Sequence, residues 1–153
     1  MLEAGAKAPA FALEDVSGGQ KELSDILSSG PAVIALYKIS CPVCQMTLPY
    51  LERIAAGSLQ VVAISQDDQT GTNRFRDTFR LTMPTLLDRA AAGYPVSNAF
   101  GITHVPSWFL VEPDGKISLA SQGFVKRDLE AIGQRAGVVP FRPEEKVPES
   151  KAG

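Results

Sequence analysis

The sequence predicts an α/β protein with a central mixed β-sheet flanked by helices. Two observations carry this. Ala32-Val33-Ile34-Ala35-Leu36-Tyr37 and Leu59-Gln60-Val61-Val62-Ala63-Ile64-Ser65 are strand-sized and mostly apolar, as strands covered on both faces should be. Helical segments separate them, which gives parallel strands, and a late strand–turn–strand adds an antiparallel pair.

The elements follow in order. Gly5 to Leu13 reads as an extended N-terminal arm, and Ser17-Gly18-Gly19-Gln20 as a turn. Ser24 to Leu27 begins a short helix ended by Gly30-Pro31. After the first buried strand, a helix opens at Pro42 and stops at Gly57. Leu48, Leu51, Ile54 and Ala55 form its apolar stripe, and Pro49 should kink it. Asp67 to Phe79 is helical, Thr85-Leu86-Leu87 a short strand, and Pro95 to Phe100 a short helix closed by Gly101. Ser107 to Glu112 and Lys116 to Ser121 are paired strands about a Pro113-Asp114-Gly115 turn. Lys126 to Arg135 is the last helix, with Leu129 and Ile132 inward and Gly137 at its end. Residues 1–139 therefore form one domain. Residues 140–153, with three prolines and mixed charge, read as a mobile tail.

Apolar residues make up 44% of the 153, and the net charge is −2. No basic stripe is present, which argues against a nucleic-acid partner. No apolar run reaches the roughly 18 residues that span a bilayer. Met1-Leu2-Glu3-Ala4-Gly5 does not resemble a secretory leader. A monomer and no cofactor or metal are expected.

Cys41-Pro42-Val43-Cys44 holds both cysteines of the chain. At this spacing two thiols can close and reopen a small disulfide ring. That ring is too small to staple distant parts of a fold, so the pair reads as chemistry. A Cys opening a helix lies beside unpaired N–H groups and the positive end of the helix dipole, which favours its thiolate. Cys41 is then the nucleophile and Cys44, one turn in, the resolving thiol. The pair also falls at the carboxyl end of a central strand, where open α/β sheets place their sites.

The order of these features resembles a family. It comprises an apolar strand, Cys-x-x-Cys, a helix with Pro49 five residues after Cys44, and Val105-Pro106 opening a late strand-turn-strand. This is similar to the thioredoxin-like fold, and more narrowly to redoxins of the TlpA/ResA-like and AhpC/TSA-like group. That group shares a Gly-x-x-Ala-Pro-x-Phe-x-Leu arm, here Gly5 to Leu13, and an added strand and helix, here about Asp67 to Gly101. Val105 to Ile117 is similar to its late Pro-Thr-x-Phe segment. The resemblance implies a thiol–disulfide oxidoreductase that exchanges a Cys41–Cys44 disulfide with protein thiols and disulfides, among them a redox donor or acceptor protein. It also implies a cis Pro106 packed against the disulfide, with Val105 facing the thiols and offering backbone groups to a bound polypeptide. Pro42, Val43, Val105 and Pro106 would line the site, and Pro42, Val43 and Val105 would tune its potential. The group leans toward a bacterial extracytoplasmic (periplasmic) compartment; a cytoplasmic one is the alternative reading.

Three positions depart from the pattern. Ala35 and Thr47 stand where thioredoxins and ResA-like proteins keep an acid, and Ser40 where thioredoxins keep Trp. The usual proton acceptor for the second thiol is missing, which argues against fast general disulfide reduction. Two alternative functions stand beside this one, an AhpC/TSA-like thiol peroxidase using Cys41 and a non-enzymatic thioredoxin-fold binding module. Against the peroxidase, the required hydroxyl residue and proline are replaced by Lys38 and Ile34 before Cys41, and by Cys41 and Tyr37 before Cys44. The other conspicuous side chains read as structural. Lys38 reads as a solvated lysine, His104 as a polar residue before a turn, Trp108 and Phe109 as strand packing, and Asp67-Asp68 as a helix cap. Zinc would need more ligands than His104 adds.

Overall fold

A computed structural model describes residues 1–153. The strands are β1 (Ala12–Asp15), β2 (Gln20–Glu22), β3 (Ala32–Tyr37), β4 (Gln60–Ser65), β5 (Thr85–Leu87), β6 (Ser107–Val111), β7 (Ile117–Gln122), β8 (Phe124–Val125) and β9 (Ser150–Lys151). The helices are α1 (Leu23–Leu27), α2 (Pro42–Ala55), α3 (Gln69–Phe79), α4 (Pro95–Ala99) and α5 (Lys126–Ala136).

Seven strands form one sheet in the order β2-β1-β5-β4-β3-β6-β7. The centre, β3 with β4 and β4 with β5, is parallel. The pairings β3–β6, β6–β7, β1–β5 and β1–β2 are antiparallel. The mixed sheet is thus as the sequence implies. β3 is fully buried, and its side chains alternate between two cores. Val33, Ala35 and Tyr37 join the helices α2, α3 and α5 on one face. Ala32, Ile34 and Leu36 join α1, α4 and the N-terminal arm on the other.

The local reasons are those that the sequence offers. Pro42 occupies the first helical position after Cys41, and Pro49 lies inside α2. Asp68 caps α3 by accepting the Gly71 N–H at 2.7 Å. Gly137 ends α5 in the left-handed conformation at φ 75°. The β1–β2 hairpin about Gly18-Gly19 extends the sheet beyond what the alternation of the arm reveals.

The 140–153 segment, expected from the sequence to be a mobile tail, makes specific contacts. Here it lies docked along the body. Phe141 packs on Tyr50 with ring centroids 4.8 Å apart. Arg53 donates to both Glu145 carboxylate oxygens, at 2.6 and 2.8 Å, and to the Pro140 carbonyl at 2.8 Å. β9 pairs antiparallel with β8. Composition records polarity and proline content, but a few well-placed anchors can dock such a segment.

Candidate functional site

Cys41 is the N-cap of α2, in extended backbone at φ −85° and ψ 117°. Its sulfur accepts the Cys44 N–H at 3.2 Å, one of the unpaired donors of the first turn. Cys41 is half-buried and Cys44 wholly buried, and both are free thiols. The loop before them is pinned at Ile39. Its N–H donates to the Asp67 carboxylate at 2.8 Å, and its carbonyl accepts from the Gln45 amide at 3.1 Å. Asp67 is therefore no part of the helix cap expected of the Asp67-Asp68 pair; Asp68 alone supplies that.

The structure brings Val105 to the thiols across 64 residues of sequence. The Cys41 Sγ–H donates to the Val105 carbonyl at 3.4 Å, and the Val105–Pro106 peptide bond is cis. Pro106 is buried, and its carbonyl accepts the Gly123 N–H at 2.7 Å. Pro42 is exposed beside Cys41, whereas Val43 is buried in the α2-side core. A cavity of about 300 Å³ opens on Cys41, lined by Gln66, Ile102, Thr103, His104, Val105 and Gly153. A larger one of about 640 Å³ lies between the arm and α1, lined by residues such as Phe11, Leu23 and Leu27, and contains neither thiol.

Electrostatics separate the two sulfurs. Burial pushes the Cys44 thiol well up, and Cys41 and Asp67 push in the same direction against the Lys38 backbone N–H. Tyr37, buried in the same core, is pushed up to about 12 by burial. The Ser65 side chain and the Arg76 charge oppose that shift. Ala35 faces Trp108 in the sheet, and both are wholly buried. The Thr47 hydroxyl donates to the Val43 carbonyl at 2.7 Å within α2. Neither position supplies an acid beside Cys44. His104 is exposed, with Nδ1 2.9 Å from the Thr103 hydroxyl, and lines the Cys41 cavity.

Two residues of this region are not singled out by the sequence. Gln66 follows β4 and lines the Cys41 cavity; its amide donates to Ser97 at 2.9 Å. Ser97 in turn donates to the buried Asp88 at 2.6 Å. The rule that sites sit beyond the carboxyl ends of parallel strands points to Gln66, since β4 neighbours β3. Gly153 also lines the cavity, and no local pattern announces it.

The chain is similar to known thiol–disulfide oxidoreductases. The thiol-disulfide oxidoreductase ResA of Geobacillus thermodenitrificans (strain NG80-2) is 26% identical over 138 residues, covering 84% of this chain and 77% of its own length. A solved structure of a candidate thiol:disulfide interchange protein DsbE from Chlorobium tepidum superposes with a TM-score of 0.76 at 26% identity, covering 88% of this chain and 96% of that one. The thioredoxin domain of a thiol-disulfide oxidoreductase from Bacteroides vulgatus shares the fold, with a TM-score of 0.77 at 20% identity over 88% of this chain and 98% of that one. The fold is thioredoxin-like, with the strand–helix insertion placed between α2 and β6. The AhpC/TSA family model matches residues 4–120, a span that runs from the N-terminal arm through the Cys pair to the β6–β7 hairpin, and the chain belongs to the AhpC/TSA family.

Proposed function

We propose that the Cys41–Cys44 pair exchanges its disulfide with cysteines of partner proteins, with Cys41 attacking and Cys44 resolving. The chain is a thiol–disulfide oxidoreductase, like the ResA relatives it resembles. The observation that supports the division of roles is the placement of the two sulfurs. Cys41 sits half-exposed at the head of α2 against the Val105 carbonyl, while Cys44 has no solvent exposure.

The exchange runs in two steps. The Cys41 thiolate attacks one sulfur of a partner disulfide; an S–S bond forms to Cys41, and the other partner sulfur leaves as a thiolate and takes a proton. Cys44 then gives up its proton and attacks the Cys41 sulfur. The Cys41–Cys44 disulfide closes, and the second partner sulfur leaves and is protonated. Two electrons and two protons pass to the partner, and the reverse sequence oxidises a partner dithiol. Pro42 and Val43 shape the ring. Val105 and Pro106 form the shelf on which a partner polypeptide lies, adding one strand through the Val105 backbone.

The resemblance to the TlpA/ResA-like group favours a bacterial extracytoplasmic setting. A monomer is supported by the surface, where the large exposed apolar residues are Met1 and Val139. No helix is long and apolar enough to cross a membrane.

The test is trapping. A Cys44→Ser variant is expected to hold partners as mixed disulfides on Cys41, released by dithiothreitol and absent in the double Cys→Ser variant. A Cys44→Ser protein that traps nothing, together with a wild-type pair that never oxidises across a graded glutathione buffer, would end this reading.

A further inference from the structure

We infer that residues 149–153 act as a built-in strap that occupies the polypeptide shelf beside Cys41, so that small disulfides reach the thiol freely and extended peptides must first displace the strap. The inference rests on the reading of Val105 as the peptide-binding backbone.

The strap has a fixed root and a loosely held tip. At the root, Arg53 grips Glu145 through two hydrogen bonds and the Pro140 carbonyl through a third. Phe141 packs beside Tyr50 and Phe124, with centroids 4.8 and 6.0 Å away. Beyond the root the chain runs antiparallel to β8, with Phe124 opposite Lys151 and Val125 opposite Ser150, and Lys126 N–H donates to the Glu149 carbonyl at 2.9 Å. It then reaches the shelf itself. A β-carbon at Gly153 would collide with the Val105 carbonyl oxygen and crowd the Pro106 ring. One at Gly123 would collide with the Lys151 carbonyl oxygen. Only glycine allows such close backbone approach. The Val105 carbonyl that Gly153 covers is the one that receives the Cys41 thiol, and Gly153 lines the Cys41 cavity.

The tip is weakly secured. Residues 148–153 are exposed, the ladder is two residues long, and the Lys126–Glu149 ion pair is 3.9 Å apart with Glu149 in solvent. A segment held this way opens and recloses without disturbing the body. The cavity that opens on Cys41 with the strap seated is lined by Gln66, Thr103 and His104 as well as by Val105 and Gly153, and it is the route by which a small disulfide reaches the sulfur.

The experiment mixes pre-reduced protein with one of two oxidants, bis(2-hydroxyethyl) disulfide or a disulfide-linked peptide with several residues on each side of its cystine. Acid-quenched samples are counted for oxidised enzyme by mass spectrometry. Deleting residues 149–153 is expected to raise the peptide rate about tenfold, the gain if the shelf is open in about one molecule in ten. The small-disulfide rate should stay within about twofold, a change that a shelf-specific obstacle should not exceed. Glu145→Gln in the full chain, which removes the Arg53 ion pair at the root of the strap, should shift the two rates in the same selective way. Equal ratios of the two rates in the full chain and both variants would overturn the strap while leaving the exchange activity standing. Failure of every chain to react with either disulfide would overturn the activity and the strap together.

Discussion

Cys41 and Cys44 are three residues apart, yet their environments differ in kind. Burial raises the Cys44 thiol above its ordinary 9.0, and neither Ala35 nor Thr47 offers a base to take its proton. The resolving step should therefore accelerate with pH, approaching tenfold per unit while the thiolate is the minor form (about 1.4 kcal/mol per decade). Thionitrobenzoate loaded on Cys41 at acid pH and released after a pH jump measures it; a rate flat from neutral pH upward would contradict the assignment. The same shift has a stability consequence. Below 9.0 both folded and unfolded chains keep the Cys44 proton; above it the unfolded chain loses the proton first, so stability falls as pH rises. Wild type should lose stability between pH 8 and pH 10.5 (roughly the span on either side of an ordinary thiol pKa) relative to Cys44→Ser in urea titrations. At this scale the thiol pair was plain in the sequence. The separation of the two sulfurs rests on burial and could not be measured there.

Among the elements, α2 sets the geometry of the site. Leu48, Leu51 and Ile54 are wholly buried against the sheet and fix the helix whose head carries Cys41. Leu51→Ala should destabilise the protein by about 2–5 kcal/mol and lower the urea midpoint, through lost burial and the cavity left behind. β3, α2 and β5 were legible because continuous apolar runs, a helix-opening proline and helical periodicity are local signals. The β1–β2 hairpin and the docked 140–153 segment were not, because their partners lie far away in sequence. The docking also carries a pH signature. The Arg53 guanidinium holds Glu145 at about 2, below the ordinary 4.5, so its contribution is present above 4.5 and is lost as pH falls toward 2. The NMR signals of Ser150, Lys151 and Gly153 should move toward disordered positions over that interval. Glu145→Gln should release them at neutral pH.

At the level of the whole molecule, the sheet carries two cores, and the site lies beyond the carboxyl end of β3, where β6 runs antiparallel to it and brings Val105 alongside. The single tryptophan, Trp108, sits in the same core as Cys44. Its emission should change on closing the Cys41–Cys44 disulfide, and Trp108→Phe should abolish the change. The sequence by itself determined the α/β class, the strand–Cys-x-x-Cys–helix order and the two cysteines proposed to react. Each follows from residue type and short-range spacing. Only the tertiary structure decided that Asp67 pins the loop at Ile39 and that Gly153 lies against the Val105 carbonyl. Those facts depend on which distant segments meet, and such meetings are set by the packing of the sheet, not by any local pattern in the chain.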